Sequence, residues 1–146
     1  MKSIEITPSE WEVMRVLWAN GDLGSSDIVQ VLQKKKEWKP TTTKTLLSRL
    51  VGKELVETKG SGNRYIYRAK IAESDAWDSA ARDLFGFVCS QDRAKKIARL
   101  IGARELSHED ITLLEVALSE AKKASVDEIA CDCFKGQCSC HLQEPQ

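Results

Sequence analysis

Along the first seventy residues the apolar positions recur at helical spacing and then switch to alternation, and that change of period predicts the first domain. Trp11, Met14, Leu17 and Trp18 form a stripe with three- and four-residue steps. The stripe opens at Thr7-Pro8-Ser9-Glu10, where Thr7 can cap, Pro8 fits the first helical position and Glu10 completes a capping box. This helix is predicted to stop before Gly21. A second, shorter helix follows, capped by Ser25 or Ser26, with Ile28, Val31 and Leu32 on its buried face. Lys34, Lys35 and Lys36 close it at the end where cations suit the helix dipole. Trp38-Lys39-Pro40 breaks the pattern, and Pro40 restarts it at the head of a third helix reaching about Lys53.

The third helix is polar in an unusual way. Leu46, Leu47 and Leu50, with Thr43, lie on one side; Thr41, Thr45, Ser48 and Gly52 fall opposite, flanked by Lys44 and Arg49. It has no carboxylate before Glu54. Small hydroxyls between cations suit a helix in a DNA major groove, where Thr and Ser contact phosphates and base edges and acidic groups are repelled. The competing explanation is a Thr-rich helix packed on another protein. Next, Leu55–Thr58 and Tyr65–Arg68 have strand character around a Gly- and Asn-containing turn with Lys59 and Arg64 at its ends, which predicts a β-hairpin. Three short helices and a basic hairpin follow the winged helix-turn-helix order, here over residues 1–71. Thr41, Thr42, Lys44, Thr45, Ser48, Arg49, Lys53 and Arg64 are the candidate DNA contacts.

From Ser74 onward the period stays helical. Trp77, Ala80, Ala81, Leu84, Phe85 and Val88 make one stripe, and Ala94, Ile97, Ala98 and Ile101 a second that ends at Gly102. Ile111, Leu114, Leu118 and Ala121 make a third, opened by Ser107 with Asp110 three residues on. Some fifty residues of amphipathic helix have little core of their own to bury against. Residues 72–126 are therefore read as a homodimerisation segment, since a twofold dimer would set two recognition helices on a near-palindromic site. The alternative is that these helices fold back on the first domain.

Composition narrows the function. The zero net charge of the 146 residues hides an asymmetry: residues 1–70 hold 13 Lys/Arg against 8 Asp/Glu, and residues 34–70 hold 11 against 3. A basic block in an otherwise acidic chain suits a polyanionic partner. No signal-peptide pattern or membrane span is evident, so a cytoplasmic location is expected. With His108 and His141 the only histidines and no nucleophile–base pattern, an enzyme is not expected.

The chemistry is concentrated in residues 127–146. CDCFKGQCSC places Cys131, Cys133, Cys138 and Cys140 in the pattern C-x-C-x4-C-x-C, with Gly136 allowing the loop to turn back. Cytosolic thiols stay reduced, so metal binding is preferred over disulfides. Thiolates favour copper(I) and zinc. Four of them hold one zinc(II) per chain tetrahedrally, or two copper(I) per chain in a bridged cluster. His141 next to Cys140 is read as incidental, and Cys89, near the end of the Trp77–Val88 stripe, as a small packed residue.

ITPSEWEVMRVLW, TTTKTLLSRL, GNRYIY and the CDCFKGQCSC tail together resemble the CopY-type copper-responsive repressors, a branch of the penicillinase-repressor family that includes BlaI and MecI. The resemblance covers nearly the whole chain. It implies a mainly α fold with a small β-hairpin wing, and a homodimer on an inverted-repeat operator of copper-export genes. It further implies that the zinc form represses and that copper(I), displacing zinc at the four tail cysteines, releases the DNA. Two other readings stay open: the same repressor with zinc, cadmium or sensor-protease cleavage as its inducer, and a metal-buffering or metallochaperone protein.

Overall fold

In the computed structural model, which describes residues 4–140, six helices and three strands follow one another along the chain. Their order is α1 (Pro8–Asn20), β1 (Leu23–Gly24), α2 (Ser25–Lys36), α3 (Pro40–Gly52), β2 (Val56–Ser61), β3 (Arg64–Ala69), α4 (Glu73–Gly86), α5 (Arg93–Ala103) and α6 (His108–Lys122). A single 3-10 turn, Ser90–Asp92, precedes α5. The chain divides into two compact units, Met1–Ala81 and Arg82–Gln146.

The first unit owes its shape to punctuation that the sequence spells out. Thr7 Oγ1 accepts from the Glu10 amide at 3.2 Å while Glu10 Oε1 accepts from the Thr7 amide at 2.9 Å, so both bonds of the capping box form. Gly21, at φ 74°, ends α1 in a conformation that a Cβ disfavours. At the end of α3 the Leu55 amide reaches the Leu50 carbonyl and the Glu54 amide that of Val51, the bond pair of a Schellman motif. Its left-handed position, usually glycine, is Glu54 at φ 63°. Gly62 at φ 63° leads the two-residue turn of the hairpin, in which Ser61 faces Arg64.

Packing follows the predicted stripes with some corrections. Val13, Met14, Val16, Leu17, Ile28, Leu32, Leu46, Leu47, Leu50 and Val56 form the apolar cluster, and Thr43 is buried with them. Val29, not Val31, faces inward from α2; Val31 is 42% exposed. The cap of α2 is Gly24 rather than a serine, because Ser25 is already its first helical residue. That shift accompanies an element the periodicity did not predict. Leu23 and Gly24 pair with Tyr67 and Ile66, so β1 joins the hairpin in a sheet of order β1-β3-β2. Arg68 on β3 holds Asp22 through two bonds, at 3.0 and 3.2 Å, and reaches Glu57 opposite it at 3.3 Å. The Trp18 indole donates to the Ile71 carbonyl at 2.9 Å, tying α1 to the end of the hairpin. The result is a winged helix, mainly helical with a small antiparallel sheet.

The second unit is built differently. Its α6 starts with a capping box like that of α1, Ser107 with Asp110, and α5 ends at Ala103 beside the expected Gly102. Neither α5 nor α6 buries a residue within the chain. Ile97, Leu100, Ile111 and Leu118 are all substantially exposed.

Candidate functional site

Burial of Thr43, Leu46, Leu47 and Leu50 fixes the rotation of α3 and leaves Thr41, Thr42, Lys44, Thr45, Ser48 and Arg49 exposed. The first turn of α3 carries no acidic residue and no side-chain cap, so its amide groups and dipole add to the positive character of that face. Thr45 Oγ1 donates to the Thr41 carbonyl at 2.8 Å, which leaves the hydroxyl free to accept but not to donate. Arg64 is exposed at the tip of the wing. Lys53 is engaged elsewhere: its ammonium lies 2.7 Å from Glu10 Oε1 and 3.1 Å from the Glu5 carbonyl. Glu10 is 1% exposed. Burial alone would push its carboxyl up, but the hydrogen bonds from Lys53 and from the Thr7 amide outweigh it and hold the carboxyl below the usual range. Lys53 thus neutralises a buried carboxylate, a task its place at the end of α3 does not reveal in sequence.

The second chemical feature is a knot of sulfur in the second unit. The turn at Gly136, φ 97°, brings the tail back so that Cys131 and Cys138 place their Sγ atoms 3.3 Å apart. Cys89, expected to be a merely packed side chain, joins them. Its Sγ stands 3.6 Å from that of Cys131 and 3.6 Å from that of Cys140. The sulfurs of Cys89, Cys131, Cys133 and Cys138 all lie within 4.8 Å of one another. Four sulfurs bound at about 2.3 Å around one zinc stand about 3.8 Å apart, so this donor set fits a tetrahedral ion. None of the five cysteines is joined in a disulfide. His141 lies outside the described residues.

Electrostatics agrees with that fit. The hydrogen bond shared with Cys131 lowers Cys138 to about 7, while the one shared with Cys89 pushes Cys140 up to about 12. Burial, followed by the neighbouring thiols, raises Cys133. Thiols this close share protons because they cannot all ionise without a cation among them. Thiolate-binding metals supply that cation and release the protons.

The tail is also fastened by polar bonds. The Ser90 amide donates to Asp132 Oδ1 at 3.1 Å, Ser90 Oγ to the Ala130 carbonyl at 2.6 Å and Gln91 Nε2 to the Ile129 carbonyl at 2.9 Å. Arg93 Nη2 lies 2.9 Å from Asp132 Oδ2. No residue spacing in the sequence announces these bonds, because they join segments about forty residues apart that only the tertiary fold brings together.

Comparison with known proteins gives the frame for the first of these features. The model of the penicillinase repressor family matches residues 6–120. The chain belongs to that family. A penicillinase repressor of Staphylococcus aureus is 30% identical over 122 residues, covering 84% of this chain and 97% of that one. An uncharacterized 16.5 kDa protein in the ptsI 3' region of Latilactobacillus sakei is 38% identical over 140 residues, 96% of each chain. Among solved structures, the DNA binding domain of the repressor BlaI aligns with TM-score 0.47 at 32% identity, over 51% of this chain and 90% of that one. Membership of that family makes this chain a non-enzymatic, DNA-binding regulator. Among the described residues no helix is long and apolar enough to cross a membrane.

Proposed function

We propose that this family member is a metal-responsive transcriptional repressor of the CopY-type branch. In this reading a homodimer grips an inverted-repeat operator of copper-homeostasis genes in the cytoplasm while loaded with zinc(II), and lets go when copper(I) takes the thiols. The observation that carries it is the thiol cluster itself: Cys131, Cys133, Cys138 and Cys140 lie beyond the segment the family model matches. A regulator's input belongs on such an added element, and soft sulfur donors select copper(I) or zinc. The tail contributes those four cysteines as ligands, with one zinc or two copper ions per chain. DNA contacts come from Thr41, Thr42, Lys44, Thr45, Ser48 and Arg49 on α3 and from Arg64 on the wing. Lys53 contributes through Glu10, by securing the end of α3, rather than by direct contact. Pairing of two chains through α5 and α6 covers the apolar side chains those helices leave exposed.

The test is operator binding by the zinc-loaded protein, titrated anaerobically with copper(I). Release of DNA as zinc leaves and about two copper ions per chain enter supports the reading. Binding that survives copper uptake keeps the repressor and discards copper as its signal. Tight copper uptake with no operator binding favours metal buffering instead.

A further inference from the structure

We propose that Cys89 is a fifth sulfur donor of the metal site, so that metal bound by the tail is anchored to the corner between α4 and α5. This rests on reading the thiol cluster as a metal site. It adds a ligand from outside the C-x-C-x4-C-x-C run.

Three observations point to it. Cys89 is only 8% exposed, yet it has no place in the apolar cluster, all of whose members precede residue 72. Its burial comes from the returning tail rather than from a hydrocarbon core. Second, its sulfur touches two of the tail thiols at 3.6 Å and shares with three of them the separations that one ion requires. Third, the adjacent backbone is built to receive the tail: Ser90 and Arg93 grip Asp132, the residue between Cys131 and Cys133. A side chain that only packed would need none of this. A fifth donor also changes what the site can hold. Tetrahedral zinc takes four thiolates, and the four sulfurs that lie within 4.8 Å of one another are those of Cys89, Cys131, Cys133 and Cys138, so zinc takes Cys89 with three tail thiols and leaves Cys140 spare. A cluster of two or more copper(I) ions bridged by sulfur has use for all five.

The consequence is mechanical. A site made of tail residues alone could change metal without pulling on anything else. One that includes Cys89 ties each change of metal to the segment that follows α4.

The test uses the full-length protein, with zinc affinity measured by competition against a chromophoric chelator. Cadmium(II) titration, followed by thiolate-to-metal charge-transfer absorption, counts the sulfurs. Cys89→Ser and Cys89→Ala should lower zinc affinity at least tenfold and weaken the charge-transfer band, and Cys89→His should recover part of the affinity. Folded variants that bind zinc and cadmium as the wild type does would overturn the proposal. Should the variants fail to fold, mass-spectrometric mapping of N-ethylmaleimide labelling on zinc-loaded wild type decides it. Cys89 should resist labelling together with Cys131, Cys133 and Cys138 and become reactive with them once a chelator removes the zinc. Labelling of Cys89 while the tail is still protected overturns the proposal, and so does a Cys89 that stays inert after the tail has been freed. None of these readouts depends on DNA. A protein whose operator binding ignores copper would sink the proposed switch, while the metal and labelling readouts would still decide the role of Cys89.

Discussion

The two units of this chain are written in similarly amphipathic sequence, yet only the first covers its own apolar stripes. In the winged helix Met14, Leu17, Ile28, Leu32, Leu47 and Leu50 are all but fully buried. In the second unit α5 and α6 bury nothing, and Leu118, at the centre of the predicted stripe of α6, is 65% exposed. The difference teaches that periodicity states which face must be covered but is silent on what covers it. The first unit is closed by its own hairpin and helices. The second holds together around bonds at the thiol cluster and leaves its remaining apolar surface exposed.

The largest effects should separate the units by stability. Leu47→Ala removes a side chain with no exposed surface, and such cavities cost about 2–5 kcal/mol. Denaturant unfolding should show that loss at any protein concentration. Leu118→Ala should cost less than about 0.5 kcal/mol if the chain is a monomer. In a dimer built on α6, its cost should instead appear as a midpoint that depends on protein concentration. Equal, concentration-independent losses at both positions would erase the distinction between the units. A sharper version places charge on the α6 face. Ile111→Glu with Leu118→Glu should shift sedimentation toward the monomer and weaken operator binding by on the order of tenfold or more, since a lone recognition helix reads only a half-site. A double variant that still sediments as the wild type would remove α6 from the proposed interface.

Next in size is the DNA face, which in this scheme belongs wholly to the first unit. Lys44→Ala and Arg49→Ala should each weaken operator binding and reduce the slope of log affinity against log salt by about 0.9 for every phosphate left without its cation. Lys53→Ala should act through stability instead, because its ammonium is committed to buried Glu10. A Lys53 variant that changes the salt slope as much as Lys44→Ala does, with stability intact, would return Lys53 to the DNA interface.

These contrasts also mark what is legible in the sequence. The capping boxes at Thr7 and Ser107, the rotation of α3 and the hairpin turn are readable because each depends on residues within one or two turns of each other. The C-x-C-x4-C-x-C thiol run is readable for the same reason. Lys53 and Cys89 escape such a reading because their partners, Glu10 and Cys131, lie 43 and 42 residues away. Strand β1 escapes it because two residues are too few to show a period; its pairing with β3 is decided across the sheet. Val31 fits a helical stripe as well as Val29 does, and only packing against α3 and the sheet distinguishes them.

The smallest predicted difference is the most discriminating, because it compares one motif in two settings. Thr7 with Glu10 and Ser107 with Asp110 make the same pair of reciprocal bonds, all between 2.9 and 3.2 Å. Glu10 is buried and also paired with Lys53, whereas Asp110 is exposed and held down mainly by the Ser107 amide. Both carboxyls titrate below their ordinary values in the folded chain. Each therefore contributes stability that is complete above its unfolded pKa and is lost as the pH falls through its lower folded value. Thr7→Ala should cost about 1 kcal/mol of winged-helix stability near neutral pH. Glu10→Gln should cost stability at neutral pH and flatten the acid limb of its pH profile, since the group that titrates is gone and Lys53 has lost its charge partner. Asp110→Asn should flatten only the acid-induced fraying of α6, seen as helix content by circular dichroism, and leave the unfolding of the first unit unchanged. If Asp110→Asn instead altered the acid unfolding of the winged helix, the two units would be one cooperative body, and the contrast between a self-covered domain and a partner-dependent one would fail.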